Sequence, residues 1–119
     1  MRRVYVKVRI YNPSDLSHSE EVELLVDSGS TYTVVSRSIL EKLKVKPIGT
    51  IDIKAFGGII VKREHGVAIV EYEGKSRGTS VIFGEEEDTP IMGVPLLEML
   101  GYEIDSISKK IIPIRGKEI

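Results

Sequence analysis

The pattern that most constrains this chain is a side-chain period of two, broken at short intervals by turn residues. Val4, Val6, Val8 and Ile10 alternate with Tyr5, Lys7 and Arg9. Only an extended strand places such a set on one face. Asn12-Pro13-Ser14-Asp15 breaks the run, because proline lacks a donor N–H and asparagine favours turns. The polar stretch as far as Ser19 reads as a hairpin loop, and Glu21–Val26 as the returning strand. Tyr32–Val35 resumes it with β-branched residues. Further strands are expected at Thr50–Phe56, Ile59–Arg63, Val67–Tyr72 and Arg77–Phe83, with Gly57-Gly58 and Glu73-Gly74 as turns. Ile111–Ile114 closes the series as an edge strand, where Pro113 is tolerated.

Two segments change period. Ile39, Leu40 and Leu43 fall at helical spacing within Ser36–Val45, and Ser38-Ile39-Leu40-Glu41 has the form of a capping box. Pro95 suits the first turn of a second short helix carrying Leu96, Leu97 and Leu100, with Gly101 as its cap. About seven short strands with one or two short helices predict an all-β fold, a small closed or partly closed β-barrel. The 119 residues fit a single domain spanning 1–119.

Composition removes several functions. Cysteine is absent, which excludes disulfides, thiolate catalysis and Cys-ligated zinc. His18 and His65 are far apart, so no metal site and no cofactor is expected. The net charge of −1, with both signs interspersed, gives no basic field for nucleic acid. No apolar run reaches membrane-span length and no apolar leader stretch is visible, so the expected location is the cytoplasm. Glu85-Glu86-Glu87-Asp88 reads as a solvated loop rather than a cation site, and His65 as an exposed hairpin residue.

One residue sits where the pattern gives it no reason to be. Leu24-Leu25-Val26 is a strand entering a core, and it ends on Asp27, followed by Ser28-Gly29-Ser30 and a second apolar run. A lone ionised carboxylate is costly in such a place unless paired or hydrogen-bonded. Asp-Ser-Gly alone is ordinary turn material; the apolar runs on both sides are not the usual setting of a surface turn. Two carboxylates held close share a proton, one serving as general base on water and the other as acid to a carbonyl. A serine hydrolase is disfavoured: Gly-x-Ser-x-Gly is missing and no histidine is placed to serve Ser28 or Ser30.

Val26-Asp27-Ser28-Gly29-Ser30 resembles the Asp-Thr/Ser-Gly signature of the retropepsin-like aspartic proteases, the viral-type single-lobe family. Ile91-Met92-Gly93-Val94-Pro95 is similar to that family's apolar-apolar-Gly element before a short helix. Ala55-Phe56-Gly57-Gly58-Ile59 is similar to its glycine-tipped flap. The resemblance implies a homodimeric endopeptidase acting on peptide or unfolded protein. Asp27 would be catalytic, with Ser28 bonding across the dimer axis and Gly29 meeting substrate backbone. Ser30, Phe56, Gly57, Gly58, Ile91 and Val94 would contact substrate. The chain departs from the viral pattern at Ser30 and Thr31, where Ala and Asp are usual, and at Val94, where Arg is usual. The viral internal ion pair is therefore absent. The segment before Val4 is too short for the outer dimer strand of the viral fold, so the interface is expected to lean on Ile111–Ile114. The alternative is a non-proteolytic dimeric module binding peptide or protein on the same fold.

Overall fold

The computed structural model describes residues 3–115. Strand β1 (Tyr5–Asn12) pairs antiparallel with β2 (Asp15–Asp27), setting Val6 against Leu24 and Val8 against Val22. The alternation works as read: Val6, Val8 and Ile10 are buried, while Tyr5, Lys7 and Arg9 are exposed. The hairpin is tighter than expected. Extended backbone runs through the polar stretch expected as loop, and only Pro13 and Ser14 lie between the strands. The register shifts beside Asn12, because Tyr11 faces Ser19 while Asn12 faces Asp15. Asn12 stabilises this end by accepting the Ser14 N–H at 2.8 Å and donating to the carbonyls of Leu43 and Lys44 at 3.0 Å each.

After β3 (Val34–Ser36) comes α1 (Arg37–Lys42), which is shorter than the expected helix. The expected capping box does not form. Ser38 lies inside the helix, Ser36 occupies the cap position without a side-chain bond, and Glu41 lies 3.6 Å from Arg37. Leu40 anchors the helix, fully buried.

Strand β4 (Gly49–Lys54) pairs with β5 (Ile60–Tyr72), and β5 with β6 (Lys75–Gly84). The two strands expected at Ile59–Arg63 and Val67–Tyr72 are one strand. Glu64, His65 and Gly66 continue it rather than turning, and His65 is half-buried within it. Gly66 is required by close approach: a Cβ there would lie 2.8 Å from the Lys46 carbonyl oxygen and 3.2 Å from the Phe83 ring. His65 marks the change of partner, facing Gly49 on β4 and Ile82 on β6. The first half of β5 thus forms an arm with β4, and the second half belongs to the barrel wall.

The chain then passes through β7 (Ile91–Gly93), α2 (Val94–Met99), β8 (Tyr102–Ile104) and β9 (Ile111–Pro113). Pro95 and Gly101 sit at the two ends of α2 as read, Gly101 with φ +93°. Strand β8 had no signal beyond three residues after a glycine. The main sheet runs β1-β2-β7-β3-β6-β5-β4, and β5 also pairs with β1 at Arg9–Tyr11, which closes a ring. Strands β8 and β9 form a separate pair. Phe83, Leu24, Val8, Val70, Met92, Leu97 and Leu100 fill the interior with the buried face of α1. Among the described residues no helix is long and apolar enough to cross a membrane.

Candidate active site

Asp27 is the last residue of β2, and its position follows from the strands beside it. Strand β7 runs parallel to β2 and pairs Leu25 with Ile91, Val26 with Met92 and Asp27 with Gly93. The Val26 N–H donates to the Val4 carbonyl at 2.8 Å, and the Leu25 N–H to the Pro90 carbonyl at 3.1 Å. Asp27 therefore leaves the sheet at a point fixed on both sides. It is half-buried, and the next two residues are exposed.

The turn after it is built on the carboxylate. The Gly29 N–H donates to Asp27 Oδ1 at 2.9 Å, and the Ser30 N–H to the Asp27 carbonyl at 3.1 Å. A Cβ on Gly29 would lie 3.5 Å from Asp27 Oδ1, an ordinary contact, and its φ is not positive. Among the described residues nothing therefore requires glycine there. The opposite holds at Gly93, where a Cβ would lie 2.7 Å from the Tyr32 carbonyl oxygen and 3.0 Å from that of Ser30.

The loop returns over β7. The Val94 N–H donates to the Ser30 carbonyl at 3.0 Å, and the Ser30 hydroxyl donates to the Tyr32 carbonyl at 2.8 Å. The Gly93 N–H donates to Thr33 Oγ1 at 3.1 Å. These uncharged bonds join the segment after Asp27 to the start of α2, where the residues Thr31 and Val94 cannot form an ion pair. Asp27, Ser28, Gly29, Ser30, Ile91 and Val94 are thus gathered in one place, with Ile91 and Val94 half-buried. Thr33 belongs with them and was not singled out. Its signal is its phase: in the strand expected over Tyr32–Val35 it alternates onto the same face as Val35.

Phe56, Gly57 and Gly58 form the tip of the β4–β5 arm. The tip is a single tight turn, with φ +84° at Gly57 and +82° at Gly58, values that favour glycine. It is closed by Ala55 N–H to Ile59 carbonyl at 2.7 Å and Gly58 N–H to Ala55 carbonyl at 3.0 Å. Ile59 and Ile60 beside it are exposed.

The root of the arm is held by charge. Arg63 on β5 donates twice to Asp88, at 2.7 and 2.9 Å. Its neighbour Glu64 accepts from Arg37 at 2.8 Å, and Arg37 also forms a fork with Glu85 while stacking 5.1 Å over the Phe83 ring. The expectation of a solvated acidic loop is thus corrected for Glu85 and Asp88. Arg63 holds the Asp88 carboxyl below the usual carboxylate range, and the Arg37 hydrogen bonds do the same for Glu85.

Other concave or polar clusters have different chemistry. Hollows of about 290 and 470 Å³ flank α1, lined by Arg37, Glu41, Lys44 and Phe83 or by Ser36, Glu85 and Asp88, and neither contains Asp27. Asp15, Ser17 and His18 meet at the β1–β2 tip, but both Asp15 and Ser17 contact His18 through Nδ1, so no proton relay across the ring exists. Among the described residues no group of three or more His, Cys, Asp or Glu could hold a metal ion.

The comparisons with known proteins agree with this architecture. The chain is similar to the EIAV protease solved in complex with the inhibitor HBY-793, with a TM-score of 0.67 over 84% of this chain and 89% of that one, at 20% identity. It is also similar to a retropepsin-like aspartic protease from Rickettsia conorii, with a TM-score of 0.55 over 87% of this chain and 77% of that one, at 19% identity. No family model and no curated protein matches. The chain has the all-β, retropepsin-like fold of the aspartic proteases.

Proposed function

We propose that the protein is a homodimeric aspartic endopeptidase, with residues 1–119 as its single domain and Asp27 of each chain as half of the catalytic dyad. The observation that carries this is the Asp27 turn on a retropepsin-like fold. A half-buried carboxylate with one oxygen held by the Gly29 N–H sits where the strand exits the barrel. One chain has one such turn, and the chemistry needs two carboxylates. The glycine at position 29, which packing among the described residues does not require, supports contact there with something outside the chain.

In this reading two Asp27 carboxyls share one proton. The ionised one removes a proton from water, whose oxygen attacks the scissile carbonyl carbon while the protonated one donates to the carbonyl oxygen. A proton then passes to the amide nitrogen and the C–N bond breaks. Ser28 bonds across the axis, and Gly29 receives substrate backbone. Ile91 and Val94 give apolar side-chain subsites, and the Phe56–Gly58 tip closes over an extended peptide and excludes water. The second copy meets this one at the axis and along β8–β9, which α2 connects directly to the β7 end of the site; Met99 and Ile112 on that side are exposed.

The test is cleavage of an unfolded protein between about pH 3 and 7, comparing wild type with Asp27→Ala, together with sedimentation at micromolar concentration. Cleavage that survives Asp27→Ala removes the dyad. A folded, inactive dimer favours the non-proteolytic binding module, and a chain that stays monomeric removes the dyad.

A further inference from the structure

We infer that Thr33 is a positioning residue for Asp27, its hydroxyl standing in for a strand carbonyl opposite Gly93. The inference rests on the proteolytic reading of Asp27, and the test below separates the two.

Thr33 is a buried polar residue, 4% exposed, in a phase that suits valine. A hydroxyl there is retained at a cost unless it makes a bond that valine cannot. It accepts the buried Gly93 N–H at 3.1 Å, while the Thr33 carbonyl accepts the Ile82 N–H at 2.9 Å. One residue therefore ties β6 to β7 just before β3 begins at Val34. Gly93 is the register partner of Asp27, and the following N–H, that of Val94, holds the Ser30 carbonyl. Gly93 also leaves no room for a side chain against the Tyr32 and Ser30 carbonyl oxygens. Movement of Gly93 is passed to the loop that carries Gly29 and its bond to Asp27 Oδ1. In this reading the Thr33 hydroxyl acts through Gly93.

The experiment compares Thr33→Val and Thr33→Ser with wild type in the full chain. Three quantities are read: the carboxyl ¹³C resonance of Asp27 and its titration, the Gly93 amide exchange rate, and kcat and KM on a peptide substrate. Thr33→Val is expected to shift the Asp27 titration and to speed Gly93 exchange by about tenfold or more. It should lower kcat by about 10- to 100-fold with KM within about twofold, and Thr33→Ser should restore all three. If Thr33→Val does not fold, Thr33→Ala is read the same way, and the wild-type Gly93 amide must in any case be protected. A folded Thr33→Val that only melts earlier, with the Asp27 titration and kcat unchanged, overturns the inference. So does a wild-type Gly93 amide that exchanges as freely as an exposed one. If no variant cleaves anything, yet the Asp27 titration shifts in Thr33→Val and returns in Thr33→Ser, the positioning role stands and the proteolytic reading fails.

Discussion

Around Asp27 the tethers that the structure describes carry no charge beyond its own. Gly29 N–H meets Oδ1, Val94 N–H meets the Ser30 carbonyl, and Gly93 N–H meets the Thr33 hydroxyl. The root of the β4–β5 arm is fastened the other way, by Arg63 on Asp88 and by Arg37 between Glu64 and Glu85. The difference has a physical rationale. In the proposed dyad, a fixed ion pair beside Asp27 would bias its ionisation. Short backbone bonds hold the loop without adding a second full charge beside Asp27. At the arm's root no such conflict exists, and charge pairs give a hold that responds to pH and salt.

Four perturbations address this contrast. The largest effect belongs to Asp27→Asn, which keeps the shape and the Gly29 bond but removes the proposed base; the proposed hydrolysis should fall by about 10³-fold or more, with the melting temperature nearly unchanged. Next is Gly93→Ala, which forces a methyl against carbonyl oxygens of the loop and should destabilise by about 2–3 kcal/mol in denaturant titration. If it is neutral, the loop is looser than described. Arg63→Ala should cost less, about 1–2 kcal/mol, because the pair with Asp88 is only partly screened from water. It should also raise amide exchange along the first half of β5 more than in the barrel half.

The fourth is pH. Asp88 and Glu85 have folded-state pKa values below their unfolded ones. Their contribution is therefore full above the unfolded carboxylate range near about pH 4 and is lost as pH falls through the depressed values. Melting temperature should drop on acidification below about pH 4, with a smaller drop in Asp88→Asn. An unchanged profile in that variant would place the acid sensitivity elsewhere.

Much of this was legible in the sequence because two signals are local. Val4–Ile10 shows its period to any reader, and Asp27 is conspicuous by interrupting an apolar strand. What was misread depends on partners distant in sequence. Glu64-His65-Gly66 resembles a turn until Glu64 is seen against Arg37 and Gly66 against the Lys46 carbonyl. Glu85 and Asp88 resemble solvated charge until Arg37 and Arg63 arrive from other strands and helices. The capping-box form at Ser38–Glu41 failed because the helix starts one residue before Ser38, so its serine is already inside. Thr33 was readable as inward-facing, but its acceptor role needs β7 beside it.

The central claim is that Asp27 works only in pairs. Wild-type chain and Asp27→Asn chain are unfolded together, refolded at varying ratios and constant total concentration, and assayed for peptide cleavage. With activity confined to dimers bearing two Asp27 residues, the rate follows the square of the wild-type fraction, about a quarter of full activity at an equal mixture. A rate that follows the wild-type fraction linearly, about half at that mixture, would contradict the account, because each chain would then be catalysing alone.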